Sequence, residues 1–281
     1  MNEVTYYLYS DTARRLLTAI AEGRNCLEVS VDLNQSVRTV AIRGDQVEFD
    51  ACSRLSKNQL RHISKKATRV FVLENSELRV LEYREEGYYK LVPTERAPTV
   101  EIDGIKMHRS KGIDPFTDAK LKAKEVVKNC DRVLDTCGGL GYTAIWAMRL
   151  GAREVISVEC DEFIQRLRRK NPWSDELHHR KIKLVSADIS RYIRSLESES
   201  FDSIIHDPPR FSLAGELYGE NFYGELHRVL IERGELFHYT GNPYIVRRGN
   251  TFLLKVAKRL ELAGFKKVFP KQHLLGVKAV K

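Results

Sequence analysis

Residues 131–143 read Asp131-Arg132-Val133-Leu134-Asp135-Thr136-Cys137-Gly138-Gly139-Leu140-Gly141-Tyr142-Thr143. This is an apolar strand that ends on an acid and passes directly into a glycine-rich turn. A helix-competent stretch follows at once, from Tyr142 to Leu150. Glycine lacks a Cβ, so the backbone at such a junction bends sharply and approaches a ligand closely. The amides that open the next helix then face that ligand. The pattern predicts a cradle for a nucleotide-type cofactor. Gly139 to Ala144 satisfies G-x-G-x-x-A with Glu159 about twenty residues on, which fits a dinucleotide site as well.

Downstream of the turn, strand and helix patterns alternate. Helices are expected over 118–129, 143–150, 161–170, 189–196, 222–232 and 251–263. Strands are expected over 132–135, 154–159, 182–186, 203–206 and 235–239, with two closing strands over 267–269 and 275–280. Alternation of this kind demands a parallel sheet covered by helices on both faces. The last two strands lie too close in sequence for a helical crossover, so they are expected to pair antiparallel at one edge. The expected fold is therefore α/β and Rossmann-like, with seven mostly parallel strands.

The first hundred residues differ. CLEVSVDL (26–33) and RTVAIRGDQVEF (38–49) alternate apolar and polar positions, as half-buried strands do. Residues 55–67 have helical character and 71–92 return to strand character. The expected organisation is a small β-rich domain over 1–95, a proline-marked linker or lid over 96–117, and the Rossmann-like domain over 118–281.

With 281 residues, 42% hydrophobic and 30% charged, the chain has the composition of a globular protein. It has no apolar run long enough for a membrane helix. The opening MNEVTYYLYSDTARR lacks the basic-then-apolar order of a secretory signal, so the cytoplasm is the expected compartment. The five cysteines are scattered without metal-ligand spacing, and His178-His179 reads as a solvated helix end; no metal is expected. A net charge of +9 favours a polyanionic partner. Oligomeric state is left open.

Acids recur where the later strands end. Glu159 closes the second strand, Asp188 follows IKLVSAD (182–188), and the fourth strand ends in His206-Asp207-Pro208-Pro209-Arg210. Open α/β sheets bind ligands at the carboxyl ends of their strands. On these residues, 113–281 resembles the class I S-adenosylmethionine-dependent methyltransferases. More narrowly, DTCGGLGYTAI (135–145), HDPPR (206–210) and APTVEIDGIKMHR (97–109) are similar to an archaeal group of predicted RNA methyltransferases. That group carries an extra N-terminal domain and is sometimes labelled spermidine-synthase-like.

The resemblance implies S-adenosylmethionine as cofactor. Asp135 would hold its cationic amino-acid end, Glu159 its ribose hydroxyls and Asp188 its adenine amine. Cys137, Gly138, Gly139, Gly141, Tyr142, Thr143, Cys160 and Ile189 would line the rest of the site. Cys137 departs from the pattern by standing in the usual first glycine slot.

In the resembling enzymes, Asp/Asn-Pro-Pro followed by an aromatic marks methylation of a planar nitrogen. Such a nitrogen belongs to an exocyclic base amine or a glutamine amide. The implied catalytic residues are Asp207, Pro208 and Pro209. Arg210 replaces the aromatic and Phe211 follows it. Arg210, Phe211, Tyr244, Arg247 and Arg248 are the expected contacts to an RNA substrate, with Tyr239 a further candidate for stacking on a base.

Carbon-5 pyrimidine methylation would need a cysteine nucleophile, and none lies near the fourth strand. Three alternatives stay open: a spermidine-synthase-like aminopropyltransferase, a protein glutamine N-methyltransferase, and a non-catalytic RNA-binding protein. Against the first, the expected acceptor rim offers arginines where a polyamine needs carboxylates.

Overall fold

A computed structural model describes residues 4–241 and 251–281. The chain divides into two compact units, Met1–Pro115 with Lys170–Trp173, and Phe116–Arg169 with Ser174–Lys281.

The first unit is built from antiparallel strands. Tyr6–Leu8, Phe71–Glu74 and Glu77–Val80 form one sheet, and Cys26–Val29, Arg38–Arg43, Gln46–Glu48 and Arg54–Ser56 a second. Helices Ser10–Ala21 and Lys57–Ser64 bury Ala13, Leu16, Leu60 and Ile63 against Leu8, Val40 and Leu73. Ser56 and Gln59 form a reciprocal capping box that starts the second helix.

The 96–117 segment differs from the linker or lid expected of it. Thr99–Ile102 and Ile105–Lys106 form a hairpin that extends a third sheet with Tyr88–Val92 and Glu82–Arg84. Asp103 and Gly104 both have positive φ, 47° and 80°. That is the geometry of a two-residue hairpin turn, for which Asp-Gly is a strong signal.

The second unit is numbered here from its own start. Its strands are β1 (Arg132–Asp135), β2 (Glu154–Val158), β3 (Ile182–Val185), β4 (Phe201–His206), β5 (Leu230–Tyr239), β6 (Lys267–Lys271) and β7 (Gly276–Val280). Its helices are α1 (Pro115–Val126), α2 (Tyr142–Arg149), α3 (Glu162–Arg169), α4 (Ile189–Tyr192), α5 (Glu220–Val229) and α6 (Thr251–Leu262).

One seven-stranded sheet runs in the order β3-β2-β1-β4-β5-β7-β6. Strands β1 to β5 are parallel, while β7 pairs antiparallel with both β5 and β6. This is the expected mostly parallel sheet with an antiparallel edge pair. The inner strands carry near-continuous apolar runs because helices cover both of their faces. Leu134, Ile156 and Ile204 pack with Leu226 and Val229 of α5 and with Leu253, Val256 and Leu260 of α6.

One element boundary moves. The helix expected over 222–232 ends at Val229, and Leu230 already pairs with Phe201. The register of β4 and β5 then shifts between Phe201 and Ser203, and Arg233 takes a left-handed φ of 65°. The extra residues are accommodated by this irregularity, so β5 is ten residues long.

Ile204 is fully buried at the centre of this core. Ile204→Ala is expected to cost about 2–5 kcal/mol of stability, read as a lower denaturant midpoint at unchanged slope.

Candidate active site

Register places the site. In β1, Asp135 stands opposite Ser157 of β2 and Ile205 of β4. Asp135 is therefore the last residue of a strand flanked on both sides, and its side chain is fully buried. Thr143 Oγ1 donates to its Oδ1 at 2.9 Å, and Ser157 Oγ donates to its Oδ2 at 2.7 Å. Burial pushes the Asp135 carboxyl up to about 6 despite these donors, and the charges of Asp207 and Glu159 add to that push.

The glycine turn closes on the same spot. Gly138 N donates to Val158 O at 2.8 Å, and Gly139 N donates to Glu159 Oε2 at 2.8 Å. Asp161 N occupies the other Glu159 oxygen at 2.9 Å. Burial raises the Glu159 carboxyl above its ordinary value. Left-handed backbone falls on Gly139 and Gly141, at φ 52° and 85°. Cys137 does not adopt it, which is why the first glycine slot tolerates a side chain. The thiol packs against the apolar core, and burial pushes it well above its usual value.

Behind the turn, Arg168 of α3 is buried, and its Nη1 finds no hydrogen-bond partner among the described residues. That atom lies 3.6 Å from where a Gly138 Cβ would stand. Two buried acids and a buried guanidinium with a spare donor thus surround one turn. The donor set fits the amino-acid end of S-adenosylmethionine, which carries one positive and one negative charge. Glu159 retains lone pairs for ribose hydroxyls. Asp188, exposed after β3, accepts from Ser190 N at 2.8 Å as the cap of α4 and keeps acceptor capacity for an adenine amine.

The other expected cofactor residues divide into two groups. Tyr142 and Ile189 are buried, the first with its ring edge-on to Phe116 at 5.5 Å between centroids and the second in the core. Cys160 is exposed as a residue while its thiol is half-buried, and that partial burial together with the Glu159, Asp188 and Asp161 charges pushes it up to about 11.

On the acceptor side, Asp207 follows β4 with its side chain 18% exposed. Pro208 is buried and Pro209 exposed. Tyr218 Oη donates to Pro209 O at 2.9 Å and so holds the turn from beyond it. His206 is fully buried and neutral: its Nδ1 meets Thr136 Oγ1 at 2.7 Å and its Nε2 meets Leu217 O at 3.0 Å. Burial pulls its pKa down to about 3. Phe211 is exposed and packs edge-on to Tyr218 and Phe252. A cavity of about 900 Å³ opens beside it, with Ser190, Arg194, Tyr218, Phe222 and Arg259 in its walls. Arg210 is half-buried, and its carbonyl accepts from Leu213 N. Tyr244, Arg247 and Arg248 lie outside the described residues.

A residue absent from the sequence reading sits on Asp207. Lys122 of α1 is 3% exposed, and its Nζ is 2.7 Å from Asp207 Oδ2 and 2.9 Å from Asp118 Oδ2. The same ammonium lies 3.6 Å from the centre of the Tyr239 ring. Tyr239 therefore spends that face on a lysine rather than on a base. Burial alone would lower the Lys122 pKa, but the Asp207 and Asp118 charges outweigh it and hold the ammonium well above its usual value. The i,i+4 spacing of Asp118 and Lys122 was the available sequence signal; nothing local pointed to Asp207.

Strand order 3-2-1-4-5-7-6 with acids at four successive strand ends defines the Rossmann-like fold of class I methyltransferases and spermidine synthases. A spermidine synthase bound to a transition-state analogue superposes with a TM-score of 0.60 at 20% identity, covering 74% of this chain and 77% of that one. No family model matches the chain. It is 41% identical over 279 residues to uncharacterized protein MJ1233 of Methanocaldococcus jannaschii, spanning 98% of this chain and 95% of that protein. The chain belongs to the same family as that protein. Two local similarities are shorter. Polyamine aminopropyltransferase 2 of Streptomyces coelicolor is 32% identical over 118 residues, 39% of this chain and 21% of that protein. Ribosomal RNA large subunit methyltransferase I of Salmonella arizonae is 32% identical over 96 residues, 34% of this chain and 24% of that protein.

Two tests follow from the cradle. Below about pH 6 Asp135 takes a proton and loses the charge that would hold an ammonium. Affinity for S-adenosylhomocysteine, measured by calorimetry, is expected to fall about tenfold for each pH unit below that value. Asp135→Asn should flatten the profile.

A Gly138 Cβ would stand 2.4 Å from Ser157 Oγ, the donor to Asp135. Gly138→Ala is therefore expected to weaken binding by about 1–3 kcal/mol. Combining it with Ser157→Ala should cost less than the sum, because the clash goes with the hydroxyl.

Proposed function

We propose that this protein is an S-adenosylmethionine-dependent methyltransferase that acts on an exocyclic amine of a base in RNA. One observation carries the reading. An Asp-Pro-Pro turn follows β4, which pairs in parallel with β1, so Asp207 leaves the sheet beside the strand whose end carries Asp135. The local similarity to a ribosomal RNA methyltransferase and the net charge of +9 support an RNA acceptor.

The residue types suit the chemistry. An exocyclic amine delocalises its lone pair into the ring and is a poor nucleophile. The Asp207 carboxylate and the Pro208 carbonyl are acceptors for its two N–H groups. Accepting from both favours the pyramidal nitrogen of the transition state and aims its lone pair. Two prolines fix the backbone, so the acceptors need no reorganisation. Bound S-adenosylmethionine supplies a methyl group activated by its sulfonium. After transfer the nitrogen is cationic and strongly acidic, so its proton passes to Asp207 or to water. His206, buried and neutral, supports the turn and takes no part in that proton's path.

The similarity to an aminopropyltransferase over 118 residues favours polyamine synthesis as a second reading. Its difficulty is Lys122, whose ammonium already occupies Asp207.

The discriminating experiment supplies tritiated S-adenosylmethionine and cell extract, then separates RNA, DNA, protein and polyamine pools. Label is expected in RNA, as an N-methylated base after nuclease digestion. Label confined to protein would move the acceptor to a glutamine amide. Transfer from the decarboxylated donor to putrescine, without RNA label, would establish the second reading. Asp207→Ala is expected to lower kcat about a hundredfold or more, with S-adenosylhomocysteine affinity largely kept.

A further inference from the structure

Three groups converge on the Lys122 ammonium from three elements: Asp118 one turn earlier on α1, Asp207 beyond β4 and the Tyr239 ring at the end of β5. An ammonium has three donors and no acceptor. Here it is met by two carboxylate oxygens and a ring face. Those are the partners that a protonated amine would seek on entering from outside. Asp118 and Lys122 are both buried, so this is a built site rather than a chance surface pair.

The charges explain what the arrangement is for. Without Lys122, Asp118 and Asp207 would be two carboxylates facing one buried position. Such a pair binds a cation or shares a proton. With Lys122 in place the position is filled by a cation tethered to the chain. Asp207 Oδ2 is committed to it, and the rest of that carboxylate remains to accept from a neutral N–H donor.

We propose that Lys122 determines acceptor specificity: its ammonium occupies the seat between Asp118 and Asp207 that a protonated aliphatic amine would take, so the site admits neutral, delocalised nitrogens and excludes polyamines. The inference rests on the reading of Asp207 as the acceptor-side acid. It makes Lys122 a positioning residue for Asp207 as well as a barrier to cationic acceptors.

The test uses the full chain, with Lys122→Ala and Lys122→Arg. Wild type is expected to show no putrescine binding by calorimetry at millimolar concentration, whereas Lys122→Ala should bind it. Lys122→Ala should also lose about a hundredfold in kcat for RNA methylation with KM for RNA within about twofold. Ethylammonium should restore part of that loss, and Lys122→Arg should retain more activity than Lys122→Ala.

Putrescine binding by wild type equal to that of the variant overturns the proposal, as does a Lys122→Ala enzyme with unaltered kcat. If Lys122→Ala does not fold, as judged by melting and S-adenosylhomocysteine binding, wild-type and Lys122→Arg binding of putrescine decide it. Binding to either overturns the proposal, and exclusion from both upholds it. If wild type labels no RNA, the methylation reading falls, and the putrescine comparison still rules on Lys122.

Discussion

The end of one strand sets everything that follows. Asp135 closes β1 with β2 on one side and β4 on the other, paired with Ser157 and Ile205. Parallel pairing in register brings the strands to their carboxyl ends along one rim. Glu159, Asp188 and Asp207 fall on that rim in succession, each on the first residues beyond its strand. A slip of one residue in β1 would turn Asp135 to the other face of the sheet. It would lose Ser157 and Thr143 and enter the apolar layer without partners. The buried carboxylate and the sheet register therefore specify each other.

That rim concentrates negative charge, and the chain answers it with two buried cations. Arg168 lies behind the glycine turn and feels Glu159 and Asp135. Lys122 lies beneath the Asp-Pro-Pro turn and bonds to Asp118 and Asp207. The two differ in kind. Arg168 has a donor left over, which suits a site that still has an anionic group to receive. Lys122 is met by two carboxylates and a ring face, which suits a group that holds another in place. One half of the rim thus keeps a donor in reserve, and the other half is balanced within itself.

Legibility in the sequence tracked the range of the interactions. Strand ends and glycine turns depend on neighbours a few residues apart, so Arg132–Asp135 and the acids at 159, 188 and 207 could be read directly. The Asp103-Gly104 hairpin was equally local, yet Pro93, Pro98 and Pro115 drew 96–117 toward a linker. The helix expected to reach 232 stopped at Val229 because Leu230 finds Phe201, a partner about thirty residues away that no periodicity announces. Lys122 was hidden more thoroughly. In Lys120-Leu121-Lys122-Ala123-Lys124 it looks like one of three solvated lysines, and only a partner 85 residues distant separates it from the others.

Burying that lysine has a thermodynamic cost that its geometry explains. Removing either partner from a buried ion pair costs about 3–5 kcal/mol, whereas replacing the whole cluster by apolar residues is often neutral or stabilising. The cluster is thus not the cheapest way to fill the space between α1, β4 and β5. What apolar residues would not supply is direction. A carboxylate beside a hydrocarbon wall rotates and can turn to solvent, whereas one bonded through Oδ2 to a buried ammonium at 2.7 Å is held at a set angle beyond its strand. Weak nucleophiles need that kind of orientation more than strong ones, because acceptors aligned with their N–H groups do most of the work that a more reactive nitrogen would do unaided. The charged cluster under Asp207 thus fixes the direction in which that carboxylate can accept.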